Sequence, residues 1–270
     1  MKVKLGIALL LVGILLFIAL FADFLFAYPP NTGDLTLKFL PPSKEHLLGT
    51  DHLGRDILSR LGHGARASLL SVFTISILIM LSAFFVGIFA GYKGGIVDNM
   101  LMRICDIFLT FPTFILALFL VAFLGVGLLN VIIAIALTHW AWYARIVRSI
   151  TLEIKTKHYI QAAKISGGSN FYIMVRHIFP AVFLQMVILI TLDLGHILLH
   201  VSGLSFLGLG IEPPNAEWGV MIQDFAPYIL EFPYLMLYPG ICIFLSVGIF
   251  NFLGETLRDL YALDSIKKSL

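Results

Sequence analysis

Charge is what this sequence has least of. Asp, Glu, Lys and Arg make up 13% of its 270 residues, about half the roughly 25% of a soluble domain. So few charges cannot cover a water-facing surface, which excludes an ordinary soluble protein. The 18 Lys and Arg nearly balance the 16 Asp and Glu, for a net charge of +2. No basic stripe interleaved with aromatics occurs, so a nucleic-acid partner is not expected. Cysteine is equally scarce. Cys105 and Cys242 both lie in apolar runs, where a thiol acts as a small hydrophobe, and neither a disulfide framework nor a cysteine metal site is implied. The G-x-x-x-x-G-K-[ST] phosphate loop is missing, so P-loop ATP hydrolysis is excluded. Energy for any transport must then come from a partner or an ion gradient. A gradient-driven transporter often carries inverted repeats, and no internal repeat is visible.

What is present is apolar residues, 59% of the chain. Six runs reach the roughly 20 residues needed to cross a bilayer: Leu5 to Ala27, Ala67 to Gly91, Ile104 to Leu124, Leu128 to Val147, Ile178 to Val201 and Tyr234 to Leu253. The first follows Lys2 and Lys4 like a secretory signal, but its apolar run exceeds the roughly 7–15 residues of a signal core. It reads as an uncleaved anchor. Pro112 and Pro239 fall inside the third and sixth runs and predict kinks. Pro180 falls in the first turn of the fifth, where it is tolerated. The expectation is an all-α membrane protein of six transmembrane helices, forming one domain over residues 1–270.

Positive residues are retained on the cytoplasmic side. An N-terminus placed inside puts 13 of the 18 Lys and Arg on that side, Lys267 and Lys268 among them. Lys38, Lys44, Arg55, Arg60 and Arg66 remain outside, in the first outer loop with Asp34, Glu45, Asp51 and Asp56. Both termini are then cytoplasmic. Two loops exceed the length of plain connectors and are expected to carry function. The outer one, Tyr28 to Arg66, opens with Pro29-Pro30 and runs into Gly49 to Asp56, a turn followed by an amphipathic stretch. The inner one, about residues 150–177, reads as two short helices joined at Gly167-Gly168, one with Ile160, Ala163 and Ile165 on a face, the other with Phe171, Met174 and Val175. Glycine permits the sharp turn between them. Such a hairpin suits a groove on another protein; a solvated interfacial loop is the alternative.

Ionisable groups inside a bilayer are functional candidates by default. Apart from Arg145 at the inner edge of the fourth run, these are Asp23, Asp106, His139, Asp193, His196 and His200. Asp23 and Asp106 read as interfacial. Asp193, His196 and His200 are spaced i, i+3 and i+7, which puts them within about 60° of one helix face. Imidazole and carboxylate suit nickel, copper and zinc, and His196 and His200 at i, i+4 can share one metal ion. A hydrogen-bonded polar seam between helices is the competing reading. His46, His52, His63, His158 and His177 read as loop residues rather than ligands. The outer loop from Ser202 to Pro233 carries Glu212, Glu217, Asp224 and Glu231 without Lys or Arg, and such a surface would concentrate cations.

The run Gln161-Ala162-Ala163, Gly167 and Arg176-His177-Ile178-Phe179-Pro180 resembles the signature loop of ATP-binding-cassette importer permeases, which contacts the ATPase subunit in that family. Gln161 stands where the family usually has Glu. Gly49 to Arg55 with Arg60, Gly64, Arg66, Ser68 and Leu69 resembles the block after the first span in the dipeptide, oligopeptide and nickel branch. Ser205 to Gly210 with Pro213-Pro214 and Glu217-Trp218-Gly219 resembles the block before its last span. Asn130 to Ser149 and Leu192 to His200 look most similar to the nickel-importing members. The resemblance implies the type I importer permease fold in the cytoplasmic (inner) membrane, with no cofactor in this chain. It implies as partners a second homologous permease, two ATPase subunits that hold ATP and magnesium, an extracytoplasmic solute-binding protein, and membrane lipid. The cargo it implies is nickel ion or a nickel chelate, with a small peptide as the alternative, moved by alternating access. A non-transporting anchor or receptor subunit is the reading from another class.

Overall fold

The computed structural model describes residues 2–269, with side-chain surroundings for residues 2–262. Lys267 and Lys268, counted on the inner side above, lie outside the residues whose side chains are described. The chain is nearly all helical. In order the helices are α1 (Lys2–Leu20), α2 (Ala22–Leu25), α3 (Ile57–Lys93), α4 (Gly95–Leu109), α5 (Thr113–Leu124), α6 (Leu128–Lys155), α7 (His158–Ile165), α8 (Asn170–Ile173), α9 (Phe179–Phe206), α10 (Trp218–Phe225) and α11 (Tyr234–Ser269). Among the described residues five are long and apolar enough to cross a membrane: α1, α3, α6, the α8–α9 run, and α11. A sixth crossing exists if the bent pair α4 and α5 counts as one.

That pair differs from the continuous span expected over Ile104 to Leu124. α4 and α5 meet at 86° across Thr110 to Pro112. Pro112 drives the preceding residue away from helical geometry, so the expected kink is a full break. The first span also ends early, at Leu20 rather than Ala27. Arg66 explains this, since its Nε donates to the Ala19 carbonyl at 2.9 Å and its Nη2 to the Leu20 carbonyl at 3.0 Å. Those are orphan carbonyls of a helix C-terminus. α3 starts at Ile57, so Arg60, His63 and Arg66 sit on its first turns rather than in a loop.

The helices gather into two compact units. The first comprises Met1–Thr74, Val121–Ile132 and Leu192–Leu270. Here α1 and α10 pack on α11, and Trp218, fully buried, donates from its indole Nε1 to the Leu61 carbonyl at 3.0 Å. The second comprises Ile75–Leu120 and Ile133–Thr191. In it the later part of α3 lies directly against α6. A Cβ on Gly87 would fall 2.6 Å from the Ala144 carbonyl oxygen, and one on Gly91 2.9 Å from that of Arg148. Small residues of this kind let helix backbones approach where no hydrophobic force drives them together. Gly87→Ala should therefore lower the thermal stability of the purified protein in detergent, at an overpacking cost of about 1–3 kcal/mol. Gly13→Ala, whose Cβ meets nothing within 4 Å, should leave it unchanged.

Candidate functional site

The long inner loop lies in the second unit and is built on two anchors. Ile160 on α7 and Ile173 on α8 are buried, whereas Ile165, Phe171 and Val175 are exposed. The faces expected from the sequence are thus divided: one isoleucine of each short helix holds the hairpin down, and most of the remaining apolar groups point outward. Ser169 caps α8 by accepting from the Tyr172 amide at 3.2 Å. Gly167 makes the bend in the left-handed region at φ +85°, which glycine enters without a Cβ penalty. Gly168 lies close beneath, where a Cβ would fall 2.8 Å from the Ala163 carbonyl oxygen.

The predicted docking residues fall together on this hairpin and its exit. Gln161 and Ala162 are exposed and Ala163 half-buried, with Gln161 Nε2 donating to the Thr156 carbonyl at 3.3 Å. Arg176 and Pro180 are exposed, and His177 lies between the rings of Tyr159 and Tyr172. Met174–Ile178 form a π-helical turn that feeds α9. Such turns are rare and concentrate at functional sites. Several small and apolar groups are therefore presented on a hairpin with a glycine hinge.

The polar groups of α9 lie in the first unit. Asp193 Oδ1 and His196 Nδ1 are 3.2 Å apart, and His200 Nδ1 is 2.9 Å from the His196 carbonyl oxygen. Asp193 is 23% exposed and His196 70%. His139 belongs to the second unit, where it is buried with Nδ1 3.0 Å from the Ile135 carbonyl oxygen. Among the described residues no group of three or more His, Cys, Asp or Glu side chains is placed to hold a metal ion.

Sequence reasoning misjudged the outer acids. Glu217 is completely buried; Ser68 Oγ donates to its Oε1 at 2.7 Å, and its Oε2 accepts from the Val220 amide at 3.1 Å to cap α10. Asp224 Oδ2 sits 3.4 Å from Nη2 of both Arg55 and Arg60. Only Glu212 and Glu231 are exposed, so the cation-attracting surface is half what the composition suggests. Asp51 completes the network, its Oδ2 2.6 Å from Arg55 Nε and 3.5 Å from Arg60 Nε. Asp51, Arg55 and Arg60 are all buried. His52 stacks on Tyr228 at 5.3 Å, and burial pushes its imidazole below the ordinary histidine value. Nothing in the local spacing signals that Asp224 belongs with Arg55 and Arg60, 164 and more residues away. Asp23 is held by Arg66 at 2.9 Å and by His63 at 3.1 Å, which lowers its carboxyl below the usual carboxylate range.

A broken helix pair, five membrane-length helices and an exposed hinged loop define a multi-span helical membrane protein. Residues 83–262 match the family described as the inner membrane component of binding-protein-dependent transport systems, and the chain belongs to that family. It is 47% identical over 253 residues to the nickel transport system permease protein NikC of Escherichia coli strain K12, across 94% of this chain and 91% of that protein. It is 39% identical over 252 residues to the metal-staphylopine import system permease protein CntC of Staphylococcus aureus strain NCTC 8325, across 93% and 87%. An inward-facing structure of the MetNI methionine ABC transporter aligns with a TM-score of 0.62 at 20% identity, over 75% of this chain and 97% of that one. At that identity the likeness shows the importer permease fold alone.

Proposed function

We propose that this chain is a permease subunit of an ATP-driven importer that carries nickel ion or a nickel chelate across the cytoplasmic membrane. The observation that carries the reading is the 47% identity to a nickel permease along 94% of the chain. It exceeds both the 39% identity to a metal-staphylopine permease and the 38% to a glutathione permease, and that margin favours nickel over a small peptide. The chain itself is non-catalytic; two partner ATPases bind ATP and magnesium, a second homologous permease supplies the other half of the pore, and an extracytoplasmic solute-binding protein delivers the cargo.

In this reading the N- and C-termini are cytoplasmic, and the hairpin bearing Gln161, Ala162, Ala163, Gly167, Arg176, His177 and Pro180 docks on the ATPases. Its outward Ile165 and Phe171 supply apolar area for that contact, in the manner of a helix laid in a groove. Closure of the ATPases pushes the hairpin, and the π-helical turn passes the movement into α9. Asp193, His196 and His200 are assigned to the translocation path, and His139 separately so. His196 and His200 offer imidazoles that suit nickel, and a pair of ligands rather than a full cage keeps binding weak enough for release.

The orientation is tested by single cysteines. One at Asn215 should react with a membrane-impermeant thiol reagent in intact cells and one at Ser169 should not; the reverse pattern would overturn the topology and the ATPase docking with it. The cargo is tested by uptake of radioactive nickel, with dipeptide uptake measured beside it. His196→Gln with His200→Gln keeps volume and hydrogen bonding but loses the imidazoles, so nickel uptake should fall about tenfold or more at unchanged expression. Full uptake would leave the histidines as a packing seam, where such hydrogen bonds contribute on average about 0.6 kcal/mol.

A further inference from the structure

A cavity of about 500 Å³ lies in the second unit between the ends of α3 and α6 and the hairpin. Three lysines line it: Lys93, the last residue of α3; Lys155, the last of α6; and Lys164 on α7. No Asp or Glu lines it. The nearby acids are held elsewhere, Glu153 by Lys157 at 2.9 Å and Asp98 by Arg148 at 2.6 Å. Lys155 Nζ donates to the Tyr92 carbonyl at 2.5 Å, and an ammonium has three such donors. The Tyr92 hydroxyl donates to Asn170 Oδ1 at 2.9 Å, closing the cavity against α8. Cationic donors without a lining carboxylate make a receptor for an anion.

The kind of anion follows from where the cavity opens. Lys93 and Lys155 terminate two of the membrane-length helices, which brings the cavity to the boundary between hydrocarbon and water. Its flank is apolar: Phe89 is exposed, with the Lys93 ammonium 4.8 Å from the ring centroid, and Met174 lines the same space. A free phosphate ion would satisfy the lysines alone. A phospholipid satisfies both parts, since basic pockets between membrane helices take anionic headgroups and acyl chains cover the apolar flank.

We propose that this cavity binds the phosphate headgroup of an anionic membrane phospholipid, tying the hairpin to the ends of α3 and α6. The assignment goes beyond the cargo reading and does not depend on it, because lipid retention is measured without nickel or ATP. The test is native mass spectrometry of the complete importer, purified with its partner subunits and incubated with phosphatidylglycerol, phosphatidylcholine or inorganic phosphate. Phosphatidylglycerol should be retained and phosphatidylcholine should not. Lys93→Gln with Lys164→Gln, both exposed side chains, spares the Lys155 bond to Tyr92 and should reduce phosphatidylglycerol retention about tenfold. The corresponding double Arg variant should restore it. Equal retention by the wild type and the Gln variant would overturn the proposal. Displacement of the lipid by millimolar inorganic phosphate would overturn the lipid assignment in favour of a free ion, and no retention of phosphatidylglycerol by the complete importer would overturn the proposal outright.

Discussion

A chain surrounded by hydrocarbon has no water to satisfy its polar groups, and each must find a partner within the protein. That constraint organises both units. Asp98 on α4 receives Arg148 of α6 through two bonds, at 2.9 and 2.6 Å, and Asp106 pairs with Arg145 one turn away. These two ion pairs fasten a charged helix to a spanning one, and they do so where Gly87 and Gly91 let α3 come close to α6. In the other unit Arg66 holds the end of α1, and Ser68 and the Val220 amide hold the buried Glu217. Removing Arg148 would cost more than its pair with Asp98 contributes, because the buried Asp98 carboxylate would be left stranded; the Asp106–Arg145 pair is half exposed on both sides and carries no such penalty.

The long apolar runs, the glycine-hinged inner loop and the one-face spacing on α9 were legible because each is a local pattern, written in neighbouring residues. The breaks and pairings were not. Pro112 announced a kink, but whether a helix bends or breaks depends on what its two halves meet. The early end of α1 depends on Arg66, more than 40 residues downstream. Glu217 and Asp224 looked like solvated acids for the same reason: their partners Ser68, Arg55 and Arg60 lie at least 149 residues away. In the hairpin the apolar positions were visible, yet which of them anchor and which face outward was decided by tertiary packing, which buries Ile160 and Ile173 and leaves Ile165 and Phe171 outside.

Exposed polar groups occur on each of the surfaces to which the proposed function assigns a contact. On α9 they include His196; on the hairpin they include Gln161, Lys164 and Arg176, set among outward apolar side chains. The lysines at the ends of α3 and α6 form a third surface at the membrane boundary. In the proposed reading these surfaces meet cargo, motor and bilayer, and α9 joins two of them: it leaves the hairpin through the π-helical turn and carries His196 and His200 further along.

The central claim is that the hairpin transmits ATPase movement to the spanning helices. It is tested most directly by ATP-dependent nickel uptake into vesicles containing the reconstituted importer with Gly167→Leu. Leucine resists the left-handed conformation that Gly167 adopts at φ +85°, at a cost of roughly 1–2 kcal/mol, while Asn tolerates it better. The account predicts that Gly167→Leu inserts normally but loses uptake, and that Gly167→Asn retains most of it. Normal uptake by the Leu variant, with its ATPases still bound, would contradict the account.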